Sequence, residues 1–404
     1  MSRHTLPHDD TGQRETSAAR ALSEIRRRGP VARVDLVESL DLSPATVSAA
    51  ISRLLDAELV EEAAPTASPG RGRPRIQLRL RPTARYVAGA KLSDGAFTVA
   101  ILDFCGEILS TVTVAMPGGA VATGVMMAAL DEALAGALDE AGLAESDLAA
   151  FGLGTPGFIE PGGAVCHWNP LLAETSVDLR ALLSRRLACP VFIDNDANVA
   201  TMAELWFGYG RDERDFLVVT VEHGVGLGIV LGGQLFRGAR GMGAEFGHMK
   251  VQMDGALCRC GQRGCLEAYV ADYALMREAG LVVGEGAPEA ILDRLAARAK
   301  AGDEISASIY SRAGRMLGLG LANLLNLLDP PLIVLSGEHI QNHDLLAAEM
   351  ERTIRCNTLS TTRPPARIAV HRWGDQLWAR GAGALALDGL VTGTVAAELA
   401  ETVA

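Results

Sequence analysis

The chain has 404 residues, 49% hydrophobic and 21% charged, enough for two or three domains with sizeable buried cores. No run of eighteen apolar residues appears, so no membrane-spanning helix is expected. The opening MSRHTLPHDDTGQRETS lacks the apolar stretch of a secretory signal. The net charge of −12 is uneven: residues 1–85 hold 14 Arg, no Lys and 11 acidic residues, leaving +3 there and −15 in the rest.

Residues 1–15 read as a disordered leader. Three helical patterns follow within residues 16–82. The first runs from about Thr16 to Arg28, with Ala18, Ala21, Leu22 and Ile25 on one stripe, and Gly29-Pro30 stops it. The second covers about Arg33 to Ser39. The third opens at Ser43-Pro44, a preferred N-cap and first-turn pair. Val47, Ile51, Leu54 and Leu55 should face inward, leaving Ala45, Thr46, Ser48, Ala49, Ser52 and Arg53 outside. Small and hydrogen-bonding side chains near a helix N-terminus suit close approach to base edges, so Thr46, Ser48, Ala49, Ser52 and Arg53 are the expected DNA contacts. A β-wing follows from about Leu59 to Leu80, with GRGRPR at Gly70–Arg75. Arg71 and Arg73, spaced by glycine, make a narrow cationic ribbon suited to an A·T-rich minor groove. Helix-turn-helix plus wing reads as a DNA reader; a protein-contact module and a plain soluble linker are the bland alternatives.

A new α/β unit begins at Tyr86 with YVAGAKL, FTVAILD and EILSTVTVAM as strands, then a helix over Ala120–Gly142. A strand runs into Gly154-Thr155-Pro156-Gly157, followed by His167, Trp168 and Asn169. Trp168 either stacks on the apolar face of a sugar or, as tryptophan more often does, packs into the protein. VFIDNDANVA (Val191–Ala200) places Asn195 and Asp196 at the end of a strand. Glu222-His223-Gly224-Val225-Gly226-Leu227-Gly228 reads as a tight strand-turn-strand hairpin. A long apolar helix (Ile305–Leu328), the strand LIVLSG, a strand at Arg367–Val370 and helices from about Leu377 complete the chain.

The segment Glu245–Glu267, EFGHMKVQMDGALCRCGQRGCLE, carries the sharpest signal. His248, Cys258, Cys260 and Cys265 make a closed tetrahedral donor set, which is what structural Zn²⁺ takes. Gly255, Gly261 and Gly264 supply the tight turns. Free or disulfide-paired cysteines are the alternative, and the four scattered cysteines fit a reduced, cytoplasmic pool. Glu245 and Glu267 flank the staple, and carboxylates accept paired hydrogen bonds from sugar hydroxyls. E-x-G-H at Glu245, Gly247 and His248, with C-x-C-G-x-x-G-C-L-E at Cys258–Glu267, resembles the ROK family of repressors, open reading frames and sugar kinases. Further matches extend from about Val31 to about Gly383.

The resemblance implies an α/β, actin-like (ribonuclease-H-like) two-lobe ATPase fold behind an N-terminal winged helix-turn-helix. Lobe one would span about 86–198 plus the C-terminal helix, and lobe two about 199–380. The resemblance also implies sugar contacts at Asn169, Asn195, Asp196, Glu245, His248 and Glu267. Asp196 falls where kinase members keep a general base. Kinase members carry D-x-G-G-T-K in the first phosphate loop; here Lys91 replaces the Asp, and Ser93 and Asp94 replace the paired glycines. The second loop has Glu222-His223 for Gly-Thr, which sets another carboxylate where phosphate would sit. Phosphoryl transfer depends on charge neutralisation around phosphates, so Asp196 is expected to be a vestigial base and the chain not an enzyme. The helix-turn-helix, GRGRP wing and sugar domain in that order resemble the regulator branch, of the xylose- and N-acetylglucosamine-responsive kind. The expectation is a cytoplasmic, sugar-responsive repressor, a homodimer or homotetramer on a double-stranded operator, with structural Zn²⁺. The rival is an ATP-dependent hexose kinase with a DNA-binding appendage; a ligand-independent regulator with a vestigial pocket is the third.

Overall fold

The computed structural model describes residues 16–66, 75–160, 165–284, 286–337, 342–359, 365–372 and 377–394. The leader 1–15 and the wing tip with Arg71 and Arg73 lie outside them. In the arm, α1 (Ser17–Arg28) starts where the Thr16 hydroxyl accepts the Ala19 N–H, and ends at Gly29, whose φ of 76° suits glycine. β1 (Val31–Ala32) leads into α2 (Arg33–Leu40). α3 (Pro44–Asp56) is capped by Ser43, whose Oγ accepts the Thr46 N–H at 3.1 Å. β2 (Val60–Thr66) and β3 (Arg75–Leu80) pair antiparallel, and β1 adds to β3, giving the sheet order β1-β3-β2. Leu22, Ile25, Leu36, Ile51, Leu54, Leu59 and Leu78 bury completely between helices and sheet, each contributing roughly 1.5–3 kcal/mol. Ala50 joins Val47, Ile51 and Leu54 inside, while Leu55 is only partly covered. Its residue lies about 100° beyond Leu54 around the helix, past the edge of the buried stripe. Ala45, Ser48, Ala49 and Ser52 are exposed, with Thr46 and Arg53 half-exposed beside them.

The body repeats one strand order twice. β4 (Tyr86–Ser93), β5 (Ala96–Leu102) and β6 (Ile108–Ala115) are followed by α4 (Thr123–Ala141) and β7 (Leu148–Thr155). β8 (Phe158–Ile159), β9 (Val165–Trp168) and β10 (Val177–Asp178) form a small sheet of order β10-β9-β8. α5 (Leu179–Arg186) and β11 (Val191–Asn195) lead into α6 (Asp196–Phe207). The first large sheet has the order β11-β7-β4-β5-β6. β12 (Phe216–Val221), β13 (Val225–Leu231) and β14 (Gln234–Phe236) start the second. α7 (Glu267–Val270), α8 (Asp272–Val283), α9 (Pro288–Lys300) and α10 (Glu304–Leu328) separate them from β15 (Leu332–Ser336). α11 (His343–Asn357) and β16 (Arg367–Val370) complete the order β14-β13-β12-β15-β16. In both sheets the first strand sits centrally, the next two lie to one side, and the last two to the other. Strands β12, β13 and β14 pair antiparallel and β12, β15 and β16 parallel, and β12 and β15, apolar but for Thr220 and Ser336, are buried on both faces, as central strands of such sheets must be.

α12 (Leu377–Gly389) returns to the first sheet. It fits because the strands beneath it lack side chains: a Cβ on Gly89 would come within 2.2 Å of the Ala379 carbonyl oxygen, and one on Gly152 within 2.0 Å of that of Ala382. Two compact units result. One takes Met1–Val87, Asp103–Glu107 and Leu387–Ala404, the other Ala88–Leu102 and Ile108–Ala386. Within the first, Phe104 is buried and its N–H donates to the Pro82 carbonyl oxygen. Among the described residues, no helix is long and apolar enough to cross a membrane.

Candidate functional site

The chain from Met249 to Leu266 folds back on itself as a knuckle. Lys250 and Cys265 form an antiparallel bridge, as do Leu257 and Arg263, and the Leu266 N–H donates to the Met249 carbonyl oxygen. Gly261 and Gly264 take φ of +83° and +76°, and a Cβ on Gly264 would fall 1.8 Å from the Gln252 carbonyl oxygen. Gly255 does not make a turn of that kind. It is glycine because the Tyr269 hydroxyl would lie 2.0 Å from its Cβ. The knuckle gathers one ligand atom each from His248, Cys258, Cys260 and Cys265 within 4.8 Å of one another. The Cys260 and Cys265 sulfurs are 3.7 Å apart, and His248 Nδ1 is 3.7 Å from Cys258 Sγ. Thiolates about 2.3 Å from a tetrahedral ion stand about 3.8 Å from each other, so the donors fit one. Burial pushes the Cys258 thiol up to about 12, with the Glu267 charge adding to the rise. A divalent cation is the partner that would hold it as thiolate. The Lys250 ammonium lies 3.0 Å from Cys265 Sγ.

His248 ends a short 3-10 turn, Phe246–His248, that begins just after Glu245. With Nδ1 facing the sulfurs, Nε2 is the nitrogen left over. Glu267 opens α7 directly after the knuckle and is buried. One carboxylate oxygen accepts from the Tyr273 hydroxyl at 3.3 Å, and the other from the Val225 N–H at 3.3 Å. Glu245 is exposed as a residue, yet the protein beside it desolvates its carboxyl. That desolvation raises its pKa; the His248 charge opposes the rise and the Asp196 and Glu267 charges add to it. Burial likewise raises the Asp196 carboxyl, against the Ala197 N–H and the Lys91 charge. Glu245 therefore lies within reach of the charges of both Asp196 and Glu267.

The asparagines reach the same place through a partner that sequence reading left without a role. Thr155 ends β7 directly opposite Asn195 in the parallel pair β7–β11. Its Oγ1 accepts from Asn169 Nδ2 at 2.7 Å, and Asn169 Oδ1 accepts the Leu171 N–H at 2.8 Å. Asn195 caps α6, its Oδ1 accepting the Asn198 N–H at 3.0 Å. Asp194, buried at the end of β11, pairs with Arg237 at 2.6 Å, joining the first sheet to the segment after β14. Thr155 was visible inside G-T-P-G; Tyr273, Lys250 and Arg237 carry no sequence signal because tertiary packing alone brings them in.

The phosphate-loop positions are occupied by other contacts. The Lys91 ammonium lies 4.6 Å from the centre of the Trp378 ring, a cation–π distance. Asp94 Oδ1 accepts the Gly119 N–H at 2.7 Å. Glu222 and Gly224 close the β12–β13 turn, and His223 is 3.7 Å from the buried Asp272 carboxylate. Gly226 and Gly228 let α6 approach β13: a Cβ on Gly228 would fall 1.8 Å from the Thr201 hydroxyl, and one on Gly226 2.8 Å from Ala197 Cβ. Trp168, at the end of β9, is 49% exposed rather than packed away.

Comparison with known proteins agrees with this architecture. A putative xylose repressor from Caldicellulosiruptor sp. is 27% identical over 371 residues, covering 89% of this chain and 92% of its own. A glucokinase from Streptomyces coelicolor is 30% identical over 315 residues, covering 74% of this chain and 95% of its own. The crystal structure of a ROK family transcriptional regulator homologous to the E. coli MLC protein superposes with a TM-score of 0.79 at 25% identity, covering 96% of this chain and 99% of that one. The actin-like fold and the N-terminal helix-turn-helix of such regulators are thus those of this chain. With the ROK family model matching residues 90–389, the chain belongs to the ROK family.

Proposed function

We propose that this protein is a sugar-responsive DNA-binding transcriptional regulator, a repressor, whose ROK domain binds a sugar or sugar derivative without phosphorylating it. The observation that carries the reading is coverage: the likeness to the repressor takes in 89% of the chain, while that to the glucokinase takes in 74%. In this reading residues 16–82 are the operator-binding domain and residues from 86 onward the sugar domain. Thr46, Ser48, Ala49, Ser52 and Arg53 of α3 face the major groove, and Arg71 and Arg73 enter the minor groove. Two-fold operators call for a homodimer or homotetramer, working in the cytoplasm. Zn²⁺ on His248, Cys258, Cys260 and Cys265 acts as a structural staple. It orients His248 so that Nε2 donates toward sugar hydroxyls, beside Asn169, Asn195, Asp196, Glu245 and Glu267. A sugar with different affinity for open and closed lobes shifts the protein between operator-bound and free forms.

The rival reading keeps kinase activity; Asp196, positioned at the start of α6 with Asn195 as its cap, is what favours it. Against it stand Lys91, Asp94 and Glu222 at the two phosphate loops. Gel shifts on operator DNA with a panel of hexoses, pentoses and their derivatives test the sensing half; indifference to every sugar sinks it. Coupled ADP release over the same panel tests the other half, and robust turnover would reverse the ranking.

A further inference from the structure

The proposed sugar groups stand on two different parts of the body. Asn195 and Asp196 sit where β11 enters α6, and Glu245 and His248 lie in the segment after β14. We infer that the ion pair between Asp194 and Arg237 is the clasp that holds these two parts in register, and that Arg237 is a positioning residue for sugar binding. The inference rests on the sugar-sensing reading above and adds to it the contact that assembles the pocket. Asp194 precedes Asn195 and is 4% exposed. Its carboxylate engages three donors. Oδ1 accepts the Asn195 N–H at 2.8 Å and Asn198 Nδ2 at 2.7 Å, and Oδ2 accepts Arg237 Nε at 2.6 Å. The first two bonds fix the Asn195 backbone and the first turn of α6, which Asn195 itself caps. The third crosses to the other part. Charge-assisted bonds of this length are among the strong ones, and losing the arginine would leave a buried carboxylate without its cation.

On the far side, Arg237 forms the neck of a loop. Its carbonyl oxygen accepts the Gly243 N–H at 3.1 Å, which closes residues 238–242. The neck is tight: a Cβ on Gly243 would fall 2.9 Å from that same oxygen. Three glycines, Gly238, Gly241 and Gly243, leave the loop little stiffness of its own, so its ends decide where it lies. Just past the neck, Ala244 takes a φ of 74°, which a residue with a Cβ holds only when its surroundings impose it. The Ala244 carbonyl oxygen accepts the Phe246 N–H at 2.7 Å, and Phe246 is buried against Gly320. Glu245 therefore hangs between two anchors, the Arg237 clasp and the buried Phe246. With the clasp closed, the Asp196 charge reaches Glu245. Stability alone does not call for such a pair, since a buried ion pair can usually be replaced by apolar packing without loss.

The test uses the full zinc-loaded chain as wild type, Arg237→Ala and Arg237→Lys, and its first arm needs no sugar. In hydrogen–deuterium exchange, Arg237→Ala should speed exchange about tenfold over residues 238–246 and 195–198 and leave the knuckle, 249–266, unchanged. Arg237→Lys, which keeps the charge, should restore most of the protection. The second arm is stopped-flow binding of glucose, xylose and N-acetylglucosamine. For each sugar that binds the wild type, Arg237→Ala should raise the dissociation rate about tenfold and keep the association rate within about twofold. Unchanged exchange in Arg237→Ala overturns the clasp. Faster exchange with unaltered sugar kinetics overturns the positioning role and leaves the sugar-sensing reading standing. Faster exchange everywhere, knuckle included, with a fall in the fraction of chains that bind, marks a merely structural pair and also overturns it. If the wild type binds none of the three sugars, the sugar-sensing reading fails and the positioning role fails with it, whatever the exchange shows.

Discussion

At the scale of single residues, the site sets function against stability. Asp196 is held where burial raises its carboxyl pKa, so the folded chain binds this proton more tightly than the unfolded one. Its contribution to stability is largest at acid pH. It falls as pH climbs from the ordinary aspartate value through the raised one, and then levels off. Asp196→Asn should therefore raise the urea midpoint at neutral pH and flatten its decline as pH climbs above the ordinary aspartate value of about 4; in the proposed reading it also weakens sugar binding. Urea titrations at several pH values check this, and a variant less stable than wild type at neutral pH would refute it. With a metal on the knuckle Cys260 would make the opposite kind of contribution, because metal bound only by the folded knuckle is folding free energy. Cys260→Ser should lower zinc content and melting temperature together; metal analysis with thermal unfolding would expose an unchanged pair.

Between elements, glycine decides which surfaces meet. α12 crosses the first sheet over Gly89 and Gly152, and α6 lies on β13 over Gly226 and Gly228. Gly226 and Gly228, in the stretch that resembles the second phosphate loop of kinase members, serve close packing of α6 on β13. Gly152→Ala should destabilise the larger unit by about 1–3 kcal/mol or more, since its Cβ meets a backbone carbonyl that cannot rotate away. A denaturant midpoint equal to wild type would show that α12 can shift. In the arm, the Ser43 cap and the buried set Val47, Ala50, Ile51 and Leu54 fix which face of α3 stays out. The exposed face of Ala45, Ser48, Ala49 and Ser52 carries only small side chains.

For the whole molecule, charge is unevenly shared. Residues 1–85 carry +3 and the rest −15, so in the proposed reading duplex DNA is attracted to the arm and disfavoured by the remainder. If the wing arginines neutralise phosphates, Arg71→Ala with Arg73→Ala should weaken operator binding and reduce the salt slope by about 1–2; fluorescence anisotropy over a salt series would reveal an unaltered slope. Much of this was legible in order along the chain. Helix caps, apolar periods and the C-x-C-G-x-x-G-C knuckle are local, and local chemistry leaves local marks. The α3 N-cap at Ser43, β16 at Arg367–Val370 and the donor set at His248, Cys258, Cys260 and Cys265 all fell where their residues predicted. What the sequence by itself could not determine is which distant groups converge. Thr155 joins Asn169 to the Asn195 strand, Tyr273 and the Val225 N–H hold Glu267, Arg237 locks Asp194, and Trp168 is left facing water. Those pairings depend on the register of β7 with β11 and on the approach of helices over glycine, and neither quantity is encoded at the positions it brings together.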